Sequence, residues 1–388
     1  MITGYTLLTT VKFGLIIGLI VSALVGLSVS ERTEIGDLSD VLMMKETNSS
    51  ISNERMYTES LARNVFFNLR QILICSMFGV GIFGVIGNIL IILVYMRLGF
   101  SETIHTSYLA LAISDVLSVL CVIWIAICNT PLINLLLNRL QIVTELNHFA
   151  RLTGGTLHVA FSKTTALITA WISTERCLCV VFPIKVKNII TRTVNTCVLV
   201  IIFIIGCGPI MLTYVTIRSE WRVDPLQNQT RFFLFVNAMD KEQTLLNRVP
   251  HFLYDVAYPV VSWVVVIVNT AVLISKLKQS ANWRKQHLNF PTTSATQRIT
   301  SGRTNRVTKT TIIVASIFIA CTLPISIAMI SQVFLPEFSP VGKFRDLFML
   351  NVWLVFLLSE VNSSVNIIVF TIMGAKFRSA LLQMLCRR

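Results

Sequence analysis

The side chains of this sequence that could do chemistry are few, and most stand inside long apolar stretches. Asp115 ends the run Leu109-Ala110-Leu111-Ala112-Ile113-Ser114, Asn88 follows Gly87 in another apolar stretch, and Asn362-Ser363-Ser364-Val365-Asn366 interrupts a third. Lys163, Asp255 and Glu360 are isolated charges in apolar surroundings, and the adjacent acid and base Glu175-Arg176 close a further run. A polar group withdrawn from water must be bonded, paired or functional, so these residues are expected to form hydrogen-bonded clusters, ion pairs or ligand contacts. Catalysis is not expected. The five histidines, His105, His148, His158, His251 and His287, form no HExxH pair, and there is no phosphate-binding glycine loop.

The elements that must position these groups follow from composition: 54% of the 388 residues are hydrophobic and 13% are charged, with a mean hydropathy of +0.72. A bilayer core needs roughly 20 apolar residues per helix. Seven stretches qualify, at 72–98, 107–131, 152–181, 194–217, 252–275, 308–334 and 347–373. The predicted fold class is therefore an all-α integral membrane protein, a seven-transmembrane-helix bundle over 72–373, with a short amphipathic cytoplasmic helix over 374–388 carrying Phe377, Leu381, Leu382 and Leu385 on one stripe. Residues 1–30 have the layout of a signal peptide, or of a retained anchor, and 31–71 form an extracellular segment.

Charge sets the orientation. The connection 276–309 contains Lys276, Lys278, Arg284, Lys285, Arg298, Arg303, Arg306 and Lys309 and no acid, which places it in the cytoplasm. The net charge of +14 thus expresses topology, and no nucleic-acid partner is implied. This loop is expected to be irregular in its middle. The glycosylation patterns at Asn48 and Asn228 fall on the outer side by the same rule, whereas Asn362-Ser363-Ser364 lies within a span. The nine cysteines lie in or beside the spans except Cys386, so no extracellular disulfide framework is expected, and Cys386 is a candidate for palmitoylation.

Several groups can be assembled from depth alone. Asp115 should be offset by Asn88, Asn362, Ser363 and Asn366, by water or by a cation. Arg176 should be held by Glu175 in one state and released in another, at a water interface where its removal strands nothing. Pro259 and Pro324 each remove a helical hydrogen bond and favour kinks. Lys163 is expected to pair with Asp255, counted one turn outward of Pro259, with Glu360 as the alternative partner and snorkelling as the alternative to pairing.

These motifs, in this order, resemble the rhodopsin-like G-protein-coupled receptors over roughly 70–380. The resemblance implies that Asn88 and Asp115 are the family's central polar pair and that Thr165, Asn362 and Ser363 are neighbours of a sodium ion at Asp115, with no other cofactor. It also implies that Glu175-Arg176 stands for the family's Asp-Arg-Tyr and that Asn366-Ile367-Ile368-Val369-Phe370 stands for Asn-Pro-X-X-Tyr. Thr322 replaces a common tryptophan, Thr304 an acid that often faces the span 3 arginine, and Arg151 the cysteine that usually bonds the second outer loop. Thr174-Glu175-Arg176-Cys177-Leu178-Cys179, Trp221-Arg222-Val223-Asp224-Pro225 and Pro336-Glu337-Phe338-Ser339 are similar to the chemosensory receptors of gastropod molluscs.

The resemblance implies a receptor in the plasma membrane, with its N-terminus outside, a small-molecule or peptide ligand and a heterotrimeric G protein as partners. The ligand pocket is expected between spans 3, 5, 6 and 7, with His158, Ser162, Lys163, His251, Tyr254, Asp255, Ser326 and Glu360 as candidate lining. Histidine at 158, where amine receptors have aspartate, disfavours a monoamine. The coupling surface is expected at Arg303 and Arg306 beside Arg176. A neuropeptide receptor of the same fold is the alternative, and a channel or transporter using Lys163, Asp255 and Glu360 is the rival from another class.

Overall fold

The computed structural model describes residues 48–100, 102–139, 146–224, 229–236, 248–286, 295–335, 337–338 and 342–386. The leader region 1–30, Asn228 and the centre of the basic loop at 287–294 lie outside them.

Apolar length dictates the bundle. The long helices are α1 (Asn48–Leu98), α2 (Thr103–Cys128), α3 (Thr156–Val181), α4 (Arg192–Cys207), α5 (Tyr258–Gln286), α6 (Ala295–Phe334) and α7 (Arg345–Ser364), the last continued by α8 (Asn366–Met373) and followed by α9 (Ala375–Leu385). Among the described residues, six stretches are long and apolar enough to cross a membrane: Asn64–Leu98, Thr103–Cys128, Arg192–Thr216, Arg248–Ser280, Val307–Ile327 and Arg345–Met373. The seventh crossing is α3, whose hydropathy is lowered by Lys163, Glu175 and Arg176. It tolerates them because it is central, packed against α2, α4, α5 and α6. The ring closes through α6 on α7 and α7 on α1. Outward-facing Ile86, Val200, Ile204, Val264 and Ile372 are exposed, as lipid-facing residues should be.

Helices outrun the spans read from hydropathy. Helix α1 begins at Asn48, so much of the segment 31–71 is helical, and α6 begins at Ala295, so the second half of the basic loop is helical, while its middle lies outside the described residues. Bilayer thickness limits the apolar stretch and not the helix that contains it. After α1 the chain turns at Gly99, whose φ of +73° suits a residue without a Cβ. The fourth span breaks at Gly208-Pro209 before a last turn Ile210–Thr216, because proline cannot continue the helical bonds. Beyond it lies a hairpin that periodicity did not suggest, β1 (Ile217–Asp224) antiparallel to β2 (Gln229–Val236), with Trp221 opposite Phe232.

Two helices start with π-turns. Arg151–Gly155 precedes α3, and Leu253–Ala257 precedes α5 with the Tyr258 N–H donating to the Leu253 carbonyl. The bulge before Pro259 accommodates its missing N–H, so the fifth span opens on a π-turn where a proline kink was expected. Pro324 does lie inside a continuous α6.

Candidate functional site

Asp115, wholly buried in α2, sits at the middle of the bundle. Its Oδ1 accepts from Thr165 Oγ1 at 3.0 Å and Ser363 Oγ at 2.9 Å, and its Oδ2 accepts from Asn366 Nδ2 at 2.8 Å. Three donors from α3, α7 and α8 therefore converge on one carboxylate. Asn88 stands beside this site without touching Asp115: its Nδ2 donates to the Gly84 and Ser363 carbonyls at 3.0 and 2.9 Å, fixing α7 to α1. Asn362 is half-buried and is not among the donors to Asp115. The expected cluster thus keeps Ser363 and Asn366, gains Thr165 as the resemblance implied, and loses Asn88 and Asn362 as direct partners.

At the end of α3 that the charge rule assigns to the cytoplasm, Arg176 Nη2 donates to Glu175 Oε1. Glu175 is fully buried and also accepts from Thr103 Oγ1 and, at 3.2 Å, from Ser107 Oγ. Thr103 and Ser107 belong to α2, so the acid is locked across a helix interface. Asn195 completes the node, accepting from Trp171 Nε1 at 2.7 Å and donating to the Thr103 carbonyl at 3.1 Å. Arg176 itself is 14% exposed. Its removal would strand a buried carboxylate, which corrects the expectation that nothing is left behind. Phe370 is buried in an aromatic group, 4.5 Å from the Tyr108 ring and 5.9 Å from Tyr95 and Phe377.

A family model described as 7 transmembrane receptor (rhodopsin family) matches residues 87–366. The chain belongs to this receptor family. No match is found among curated proteins. The matched stretch runs from the start of the Asn88 motif to Asn366, so the family assignment and the Asp115 cluster rest on the same residues.

The half of the bundle that is expected to face outward departs from the expected pocket. His158 is buried, its Nδ1 3.0 Å from Ser118 Oγ and its ring 5.1 Å from Phe356, so it faces α2 and α7. Ser162 Oγ lies 3.1 Å from Ser359 Oγ on α7. On the opposite side, Tyr254 donates to the Gly206 carbonyl at 3.0 Å and packs with Tyr258 and Ile210, which assigns it to the contact with the fourth span rather than to the pocket. Ser326 donates to the Thr322 carbonyl of its own helix at 3.1 Å. The expected Lys163 and Asp255 ion pair is replaced: Asp255 Oδ2 pairs with His251 Nδ1 at 3.5 Å on the same helix face, and Lys163 feels Asp255 only through space. The π-turn explains both corrections. Tyr254 and Asp255 lie within this wider turn, and residues before it are rotated by up to roughly 100° about the helix axis, so counting outward from Pro259 at regular helical spacing misplaces 251–255. Glu360 lies toward α1, where a Cβ on Gly81 would stand 2.8 Å from its Oε1.

Arg303 and Arg306 are on the inner extension of α6, with side chains outside the described set. Asn48 is the first residue of α1, and Cys386 is exposed just beyond α9. All nine cysteines are free. On α9, Phe377 and Leu381 are buried while Leu382 and Leu385 are exposed, so the apolar stripe divides between the bundle and the bilayer. Sequence reasoning missed Thr103, Ser107, Asn195 and Tyr108. An asparagine in the apolar run of the fourth span was the available signal. Trp263 also went unnoticed: from α5, its Nε1 donates to Thr322 Oγ1 at 3.1 Å and so joins α5 to α6.

Proposed function

We propose that this protein is a plasma-membrane receptor, N-terminus outside, that binds an extracellular small molecule or peptide and activates a heterotrimeric G protein. The observation that carries the reading is the locked inner end, where Glu175 holds Arg176 while itself fixed to Thr103 and Ser107 of α2. This is a two-position element: moving α3 against α2 releases the arginine toward the cytoplasm, where the basic inner end of α6 would meet a G protein. Asn366 and Phe370 join the Asp115 cluster to the aromatic group beneath it, a route by which the outer half can bias the inner one. The hard oxygens of Asp115, Ser114, Thr165 and Ser363 suit a monovalent cation such as sodium, and these residues would hold it. The gastropod-like motifs support a chemosensory ligand. Glycosylation at Asn48 and Asn228 and acylation at Cys386 fit the same orientation.

The test is nucleotide exchange on a purified heterotrimer, driven by the full-length receptor under a ligand screen. Ligand-dependent exchange that falls when Arg303 and Arg306 are both changed to Glu supports the coupling surface. Exchange indifferent to that reversal removes it.

A further inference from the structure

Two charged side chains in the outer half carry polar atoms that the chain itself does not satisfy. Glu360 is 1% exposed, yet neither carboxylate oxygen has a hydrogen-bond partner. Arg70 of α1 donates Nη2 to Asn129 Oδ1 at 2.9 Å, but its buried Nε has no partner, and the charged neighbour acting on it is a second cation, Arg151. Unsatisfied polar groups of this kind are uncommon in folded proteins and call for an explanation.

Their arrangement supplies one. The Arg70 guanidinium lies 5.5 Å over the Trp353 ring, Trp353 is 6.2 Å from Phe356, and Phe356 is 5.1 Å from His158. Trp353, Phe356 and Glu360 fall on one face of α7 at helical spacing, and seven residues of helix separate the first from the last by about 10 Å. An aromatic wall thus runs inward from an unsatisfied cation to an unsatisfied anion. At its inner end Gly81 leaves the carboxylate its place, since a Cβ there would crowd both Glu360 Oε1 and Ile123.

The geometry points to a ligand subsite among α1, α2, α3 and α7 for a dipolar small molecule, with a basic group at Glu360, an acidic group at Arg70 and an apolar middle along Trp353 and Phe356. This rests on the reading of the protein as a ligand-binding receptor and names the ligand's chemistry. It also moves the subsite away from the α5 and α6 side, where Tyr254 and Ser326 are engaged within the fold. Each charge of the ligand would complete a group that the chain leaves open, and the separation of the two charges would set selectivity by length.

The experiment uses the purified full-length receptor in detergent without any G protein, and reads thermal unfolding with three series of straight-chain probes: ω-amino acids of increasing length, diamines and dicarboxylic acids. The ω-amino acids should stabilise best at the length that spans the two groups. Glu360→Gln should weaken diamines and amino acids by about tenfold or more while leaving or improving dicarboxylic acids, and Arg70→Gln should do the reverse. The opposite signs for the two diacidic and dibasic series show that each variant is folded. Stabilisation by none of the series, or stabilisation that ignores both substitutions, overturns the proposal. Binding that passes this test without ligand-driven nucleotide exchange would instead count against the coupling reading, leaving the subsite in place.

Discussion

Asp115 and Glu360 are both buried carboxylates of the bundle core, 0% and 1% exposed, and they lie about one helical turn apart in depth, because Ser363, a donor to Asp115, follows Glu360 by three residues. Asp115 collects three donors from three helices, whereas Glu360 has none. Burial alone therefore does not tell what an acid is for. A carboxylate closed by the chain's own groups joins helices, so its loss is felt throughout the fold. One left open contributes little to stability and is free to recognise something that the chain does not contain.

The largest expected effect tests the closed member. Asp115→Ala strands the hydroxyl of Ser363 and the amide of Asn366 at once, while Thr165 keeps Ser114 Oγ as an acceptor at 3.1 Å, and at about 1 to 3 kcal/mol for each stranded group the cost should reach about 2 kcal/mol or more. Thermal unfolding of the purified receptor measures it, and Asp115→Asn should lose distinctly less because one acceptor remains. A loss below about 1 kcal/mol for the alanine variant would show that the three bonds do not hold the helices together.

Arg176→Ala comes next. It leaves Glu175 buried with Thr103 and Ser107 as its remaining partners, which should cost roughly 3 kcal/mol. Adding Glu175→Gln should restore most of that stability, because the amide needs no counter-charge, but should not restore nucleotide exchange. If the double variant is no more stable than the single one, the loss comes from packing and the buried acid is not the reason.

Much of the bundle was legible because crossing a bilayer imposes a length that apolar residues alone reveal. The Asp115 cluster was legible for a related reason: few polar residues occur at that depth, so each had few partners to choose from. Which of them would touch the carboxylate was not, since that depends on rotation about the helix axis. Asn362 adjoins Ser363 in the sequence and Asn88 donates to the Ser363 carbonyl, yet neither is among the donors to the carboxylate. The error at Asp255 has the same origin, sharpened by a π-turn that no residue pattern announced and by His251 one turn away, a local partner that a count of depth ignores. The hairpin at 217–236 was hidden for a different reason, because it lies outside the hydrocarbon where neither length nor hydropathy constrains the chain.

Gly81→Ala probes the space around the open carboxylate. A Cβ there would come within 2.8 Å of Glu360 Oε1 and 2.7 Å of Ile123 Cγ1, so neighbours must shift at a cost of about 1 to 3 kcal/mol. The flexible glutamate can give way more easily than the β-branched isoleucine. Combining Gly81→Ala with Ile123→Ala should therefore recover more stability than combining it with Glu360→Ala, read by the same unfolding assay. The opposite order would place Glu360 in a tighter environment than its unbonded oxygens suggest.

The smallest effect is the most discriminating, because it separates the two acids by sign. Glu360→Gln keeps the shape of the side chain and removes its capacity for charge, while no hydrogen bond of the chain is lost, since neither oxygen accepts one. The amide still lacks partners in the same surroundings, so the gain is limited. But withdrawing an unpaired amide from water costs less than withdrawing an unpaired carboxylate. The unfolding free energy should therefore stay the same or rise by up to about 1 kcal/mol, against the clear loss expected of Asp115→Asn. The comparison must be made without added ligand, because any acid or amine that bound the native protein would stabilise it by mass action and mask the gain. A loss at Glu360→Gln equal to that at Asp115→Asn would mean that the two carboxylates are equally engaged by the fold, and the distinction between a structural acid and an open one would fail.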